Sequence, residues 1–373
     1  MKRAVLISLA VVFLFAAPVY AQEFVPDTTV TMKAKVLEVL SQEKRTVPGT
    51  DVQSDYQVIR VEILDEPEKG KTLTVENDFL NLKRDDVFYL THAVDPIDGT
   101  DRYMVSEPYR LPQLALLSLL FIVVVLVFGG KQGLRGLLAL AGSLFFIIFL
   151  LLPGILQGYP PVLVAVGVSS LIVGIGSYVT HGFNKTTSIA VLGMVATIAF
   201  TGVLAYLAIP FAHLSGFSGE ETTYLNLNTR GAIDLAGLLI GGILIGTLGV
   251  LYDAAIGQAI TVEELTAAGP HLSRREIYRR TLRIGREHVG ALVNTLAIAY
   301  VGASLPLLLL FYGFGTDSIG FLLNREIFAT EIVRAIVGSI GLVLTVPITT
   351  AIASYLLVQK NEPAKEQTID EGL

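Results

Sequence analysis

From residue 111 to 358 the chain is a succession of long apolar runs cut by short polar breaks, whereas residues 22–110 alternate polar and apolar positions. A helix rises about 1.5 Å per residue and the hydrocarbon core of a bilayer is about 30 Å thick, so one span takes about 20 apolar residues. The runs predict an all-α polytopic membrane bundle of about seven spans, at 111–128, 136–152, 161–179, 187–209, 231–252, 290–312 and 332–358, with a tail over 359–373. Between the second and third, Leu152-Pro153-Gly154 to Tyr159-Pro160-Pro161 reads either as a tight loop or as a broken helix.

The alternating region is a separate domain, 22–110. Val30 to Val39 and Tyr56 to Leu64 have the period of half-buried strands, and Lys71 to Glu76, Asp86 to Ala93 and Tyr103 to Ser106 supply three more. Pro48-Gly49, Pro67-Glu68-Lys69-Gly70 and Asp98-Gly99 are turn sequences. Five short strands suit a small closed barrel without exposed edges, OB-like first and SH3-like second. Ahead of it, Lys2 and Arg3, an apolar Ala4 to Ala17 and the triplet Val19-Tyr20-Ala21 read as a signal peptide over 1–21, cleaved before Gln22; the alternative is a retained anchor helix.

Composition supports the division. The chain is 52% apolar and only 16% charged, against roughly 25% charged in soluble domains. There is no cysteine, which excludes disulfides, thiolate metal sites and thiol nucleophiles. A net charge of −6 gives no basic surface for nucleic acid. Basic residues in short loops mark the cytoplasmic side. Alternate loops and the tail carry Lys131, Arg135, Lys185, Arg274, Arg275, Arg279, Arg280, Arg283, Arg286, Lys360 and Lys365, while the opposite loops carry only Arg230 and Arg325. That places the β-domain outside a plasma membrane and the C-terminus in the cytoplasm.

Catalytic signatures are missing: no phosphate loop, no nucleophile elbow and no metalloprotease helix. The five histidines lack ligand spacing, so neither a metal nor a cofactor is expected and no catalytic residue is assigned. Asp95, Asp98 and Asp101 suit a hairpin turn better than a calcium loop. Gly237-x-x-x-Gly241 and Gly242-x-x-x-Gly246 in the fifth span predict close helix packing. Charges in lipid are costly, so their placement marks candidate sites. Asp234 lies about one turn inside the fifth span and Asp253 closes its other end; Glu331 and Arg334 open the seventh; Asn294 lies within the sixth, after Arg286. Two polar clusters are expected, an outer one of Asp234, Glu331 and Arg334, and an inner one of Asp253, Arg286 and Asn294.

In the loop between spans five and six, Thr261-Val262-Glu263-Glu264 and Ser273-Arg274-Arg275-Glu276 both match a capping box, predicting two short helices parted by Gly269-Pro270. On the second, Arg275, Arg279, Arg283 and Arg286 share a face, with Ile277, Ile284 and Val289 roughly opposite. Such a face suits an anionic inner leaflet.

Several segments together resemble the YibE/YibF-like family of bacterial multi-pass membrane proteins: Gly182 to Thr186, Ile233 to Leu239 with Gly249 to Asp253, Ile284-Gly285-Arg286 with Asn294-Thr295-Leu296 and Ala299 to Gly302, and Glu331 to Arg334 with Gly338 to Leu342. The Gly70-Lys71 turn and Glu76-Asn77 are similar to its N-terminal region. The chain departs from the family pattern at Ala254 to Ala259, where the family has a Ser-rich stretch. The resemblance implies an integral membrane protein and assigns no chemistry. With proline breaks at Pro153, Pro306 and Pro347, the first expectation is a permease-like transporter of a small solute or ion. The second is an accessory protein whose β-domain binds a partner; an intramembrane enzyme ranks third.

The orientation has a direct check. A reporter active only outside the cytoplasm is expected to work when fused near residue 110 or 220 and to fail near 183 or 270; activity at 270 would overturn it.

Overall fold

The computed structural model describes residues 29–46, 49, 53–78, 80–94, 99–314 and 318–358. The signal segment 1–21, the tail with Lys360 and Lys365, and Asp95 and Asp98 lie outside the described residues. The described residues divide into two compact units, one up to residue 127 and one from 128 to 358.

The first unit holds a five-stranded antiparallel sheet of β1 (Val30–Thr46), β2 (Gln53–Ile63), β3 (Thr72–Asn77), β4 (Val87–Val94) and β5 (Asp101–Pro108), in the order β3-β2-β1-β4-β5. Alternation puts Met32, Ala34 and Val36 inside with Ile59, Val61, Ile63, Phe88 and Leu90. Two irregularities in β1, at Val36/Glu38 and Val39/Ser41, help to curl the sheet. The expected closed barrel is not formed: the sheet is a curled, open half-barrel, with no ladder between β3 and β5 among the described residues. Side chains span that seam instead. Lys71 Nζ donates to the Tyr103 hydroxyl at 2.9 Å, and that hydroxyl donates to Glu68 Oε2 at 3.2 Å. Asp101 Oδ1 lies 2.7 Å from His92 Nε2.

Two buried amides fix the chain after β3. Gln57 accepts from the Leu82 N–H and donates to the Leu82 carbonyl, both at 2.9 Å, and Asn77 Nδ2 donates to Gln57 Oε1 at 2.9 Å. Asn77 Oδ1 accepts from the Leu80 N–H at 3.0 Å. At the start of β1, the Lys33 N–H and ammonium hold the Asp65 carboxyl below the usual carboxylate range.

The second unit is helical. Helix α1 (Leu111–Phe146) passes through a π-helical turn at Ile147–Leu151 into the short α2 (Leu152–Leu156). There follow α3 (Pro161–His181), α4 (Lys185–Phe211), α5 (Glu220–Asn228), α6 (Leu235–Ala268), α7 (Arg274–Ala303), α8 (Leu305–Phe314), α9 (Ile319–Asn324) and α10 (Glu326–Leu357). Among the described residues, five helices are long and apolar enough to cross a membrane: the run Leu111–Leu156, then α3, α4, α6 and α10. The pair α7 and α8, bent by 62° at their break, makes a sixth if counted as one span. This makes the chain a multi-pass membrane protein.

The difference from seven expected spans lies in 111–152, where the two anticipated spans belong to one helical run. Gly130, at φ 53 and ψ −134, interrupts its helical geometry in a region that favours glycine. After Leu156 the chain turns at Gln157–Pro160 and restarts at Pro161, so the doubtful boundary is a loop. Pro306 falls just past the bend after Ala303, whereas Pro347 is carried inside the continuous α10.

The loop after the fifth expected span also differs. Helix α6 runs on past residue 252 to Ala268, and Thr261 lies inside it, its hydroxyl bonded to the Gly257 carbonyl at 2.7 Å. The extension holds because Val262, fully buried, packs with Ile277 and Ala353. The second capping box is formed: the Ser273 N–H donates to Glu276 Oε2 at 3.1 Å and the Glu276 N–H to Ser273 Oγ at 3.3 Å. On α7, Arg275, Arg279, Arg283 and Arg286 are all exposed. The buried face is Ile277, Thr281 and Gly285, and Ile284 is exposed.

Helices α4 and α10 meet along their length through small residues. A Cβ on Gly193 would overlap the Thr349 hydroxyl, and one on Gly341 would overlap the Thr201 hydroxyl. The two contacts mirror each other, which makes the helices antiparallel. Thr197 and Thr345, fully buried between them, turn their hydroxyls back to the carbonyls of Gly193 and Gly341 at 2.9 and 3.0 Å. Each helix thus repeats a small residue every fourth position, which lets backbones approach closely in lipid.

Gly341→Ala is expected to cost roughly 1–3 kcal/mol by overpacking, and Thr201→Ala added to it to restore part of that loss. Denaturant unfolding of the four combinations checks this; strictly additive effects would refute the contact.

Candidate functional site

Helix α10 carries a stripe of polar and small residues on its buried side: Thr330, Arg334, Gly338, Gly341, Thr345 and Thr349, at intervals of three or four. From Thr330 to Ser354 it covers 24 residues, about 36 Å of helix, and so exceeds the hydrocarbon thickness. Several side-chain atoms on or against it are buried with no protein partner: the hydroxyls of Thr330, Thr349, Ser354, Thr201 and Tyr300, and Arg334 Nε. Buried polar groups are nearly always paired, so each exception calls for a reason. Packing accounts for Thr201 and Thr349, which sit against facing glycines. The Tyr300 hydroxyl likewise sits against glycines, Gly246 and Gly338, which leaves Thr330, Ser354 and Arg334 without one.

Thr330 and Arg334 lie one turn apart on α10, and the Tyr300 hydroxyl lies beside Gly338, one turn further on. Arg334 is eight residues into α10, about 12 Å from its start. Its Nη1 meets Glu331 Oε1 at 3.2 Å, with both side chains about three-quarters buried. Thr330, fully buried, stands one turn before it on the same face. Tyr300 reaches in from α7, close enough for Arg334 and Glu331 to act electrostatically on its phenol. Its hydroxyl lies in a notch, 3.0 Å from where a Gly246 Cβ would stand and 3.9 Å from a Gly338 Cβ. The helix break after Ala303 follows within one turn.

The start of α10 opens onto a groove of about 700 Å³. Phe217, Tyr224 and Leu227 form one wall, Arg325 and Ile327 the other. Glu326 holds the preceding loop, accepting from the N–H groups of Ser215 at 2.7 Å and Gly216 at 2.8 Å.

The remaining anticipated residues fall elsewhere. Asp234 is exposed and caps α6, its Oδ1 accepting from the Gly237 N–H at 3.0 Å, so it precedes the span instead of lying within it. Glu331 and Arg334 lie within α10, which begins at Glu326 rather than at 332. Asp253, Arg286 and Asn294 are each exposed, and no inner cluster forms among them. The reason is helical phase. Gln258, not Asp253, faces α7, accepting from the Thr350 hydroxyl at 2.9 Å, and a Cβ on Gly285 would come within 2.8 Å of its amide. Arg286, the next residue, points away. Tyr252, beside Asp253, has its ring 5.9 Å from that of His181 on α3.

The glycine motifs divide. Gly237 and Gly241 let α6 meet α3, where Cβ atoms would come 3.4 Å from Pro161 Cδ and 3.3 Å from Ala165 Cβ. Gly246 receives Tyr300, while Gly242 faces open space. Sequence reasoning had missed Tyr300, Thr330, Gln258 and Thr350. Only Tyr300 carried a signal, inside the segment Ala299 to Gly302.

If Glu331 and Arg334 compensate each other, Glu331→Leu or Arg334→Leu alone is expected to cost about 3 kcal/mol, and the double substitution less than the sum. Unfolding in detergent measures the cycle; additivity to within about 0.5 kcal/mol would deny the pair any coupling.

A family model described as YibE/F-like protein matches residues 117–359, about two thirds of the chain and all of this site. No curated protein and no solved structure matches. The chain belongs to the YibE/F-like family.

Proposed function

We propose that this YibE/F-like protein is a permease-like transporter that moves a small solute or ion along the polar face of α10, with no catalytic chemistry of its own. The observation that carries the reading is two donors, Arg334 Nε, about 12 Å along α10 from its start, and the Tyr300 hydroxyl, both buried with no protein partner. The helix break beside them supports it, because transporters in lipid build sites where helices are discontinuous. So does the groove that opens onto the start of the same helix.

In this reading the run Leu111–Leu156 makes two spans hinged at Gly130, since 46 residues of helix would extend about 69 Å, twice the hydrocarbon core. With α7 and α8 taken as one span the total is seven, the β-domain is extracytoplasmic and the C-terminus cytoplasmic. The half-barrel is an OB-like domain whose seam remains open. The exposed arginines Arg275, Arg279, Arg283 and Arg286 then meet the anionic inner leaflet.

A second reading, an accessory protein, draws on the unpaired edges of β3 and β5, each of which could take a strand from a protein partner.

Reconstitution distinguishes the two. In proteoliposomes the full chain is expected to pass at least one of a panel of small ions and solutes, and Tyr300→Phe, which preserves shape, to lower that flux about tenfold. Flux equal to empty vesicles for the whole panel would favour the accessory reading.

A further inference from the structure

We infer that the acidic segment beyond Val358 docks along the exposed arginine face of α7. This goes beyond the permeation reading, and it sets the segment in competition with the anionic leaflet for the same guanidinium groups. Arg275, Arg279, Arg283 and Arg286 are exposed and stand opposite the buried Ile277, Thr281 and Gly285, so no packed helix covers them. Among the described residues none of the four makes an ion pair. Helix α7 carries only two acids, Glu276 and Glu287, and the first is turned onto Ser273.

Arg274 fixes where the segment leaves the bundle. Its Nε donates to the Val358 carbonyl at 2.9 Å, and its guanidinium lies 4.9 Å over the Tyr355 ring. Val358 itself is buried, in a cluster with Val262, Ile277 and Ala353. The end of α10 is thereby tied to the first turn of α7, at the Arg275 end of the face. From Arg274 to Arg286 the helix extends about 18 Å. The eight residues from Val358 to Glu366 span up to about 26 Å when extended. The segment can therefore reach every arginine of the face.

The charges match in sign and in spacing. Beyond Val358 stand four acids, Glu362, Glu366, Asp370 and Glu371, against two lysines, Lys360 and Lys365. The first three acids recur every fourth residue, as Arg275, Arg279 and Arg283 do. Single surface pairs of this kind are weak and screened by salt. Tethering compensates, because a segment that leaves within a turn of the face meets it at an effective concentration of about a millimolar. Phosphates of an anionic leaflet carry the same charge, which is why the two occupants compete.

The chain has no cysteine, so a nitroxide on Thr368→Cys is a unique label of the segment. With the full chain in nanodiscs of zwitterionic lipid at about 10 mM salt, its spectrum is expected to show an immobilised component. That component is expected to vanish at about 1 M salt, where the screening length falls from about 30 Å to about 3 Å. Neutralising either side, by E362Q/E366Q/D370N/E371Q or by R275Q/R279Q/R283Q/R286Q, is expected to lower it at least about threefold. Exchanging the charges, E362K/E366K/D370K/E371K with R275E/R279E/R283E/R286E, is expected to restore it. A mobile spectrum at low salt, or an immobilised component that survives either neutralisation, overturns the docking. Should the arginine variants fail to assemble, the neutralised segment decides alone. A component that shrinks when anionic lipid is added supports the competition. One that anionic lipid leaves unchanged keeps the segment on the face and sinks the leaflet contact instead.

Discussion

The close approach of α4 and α10 is the constraint from which the rest of the bundle follows. In water, helices are driven together by burying apolar surface; in lipid that drive is absent, and contact depends on shape. Here shape is supplied by two glycines, Gly193 facing the Thr349 hydroxyl and Gly341 facing the Thr201 hydroxyl. Sliding one helix by a turn breaks the match: one direction sets Thr197 and Thr201 against Thr349 and Thr345, and the other sets Thr201 and Thr349 against Val337 and Ile189 in place of glycine. Register is therefore fixed. With α10 anchored to α4, its other side reaches α6 through Gly338 against Thr247 and α7 through Val346 against Gly285. Every helix that bears on Arg334 and Tyr300 is positioned by a glycine on one of these contacts.

The same economy of side-chain volume explains the polar character of the interior. Threonine in lipid returns its hydroxyl to its own helix, as Thr197, Thr247 and Thr345 do, at little cost. Such residues give a bundle that is small-featured and polar without being wet. Against that background, a guanidinium edge and a phenol with no protein acceptor are a different matter, since neither can fold back on its own backbone. That contrast separates Arg334 and Tyr300 from the rest of the stripe.

Strand and helix positions were legible in the sequence to a useful degree, for physical reasons that can be stated. The alternation over Val30 to Val39 and the apolar runs beyond Leu111 report burial period and bilayer thickness directly. Closure of the sheet was not legible, because it depends on whether two edges meet, and alternation says nothing about that. Helix ends were missed where tertiary packing carried a helix past its local signals: α6 ran through Thr261-Val262-Glu263-Glu264, and α10 began six residues early. These end errors propagated into the site. Asp234, expected about one turn inside its span, is a helix cap, while Glu331 and Arg334, expected to open theirs, lie more than a turn past the start of α10.

Ranking candidates by charge alone also favoured carboxylates that lie at the surface of the bundle. Asp253 stood out as an acid near the end of an apolar helix, yet on the surface of α6 it faces outward, where water or headgroups can solvate it. Gln258, five residues on and uncharged, occupies the buried face and makes the cross-helix bond to Thr350. An acid that can reach an interface has no need of a partner, whereas an amide held among three helices must find one. Partner need, more than formal charge, locates polar function in a membrane bundle. By that criterion Arg334 stands apart, because it combines a permanent charge, a place about 12 Å along α10 and an Nε donor without a protein partner.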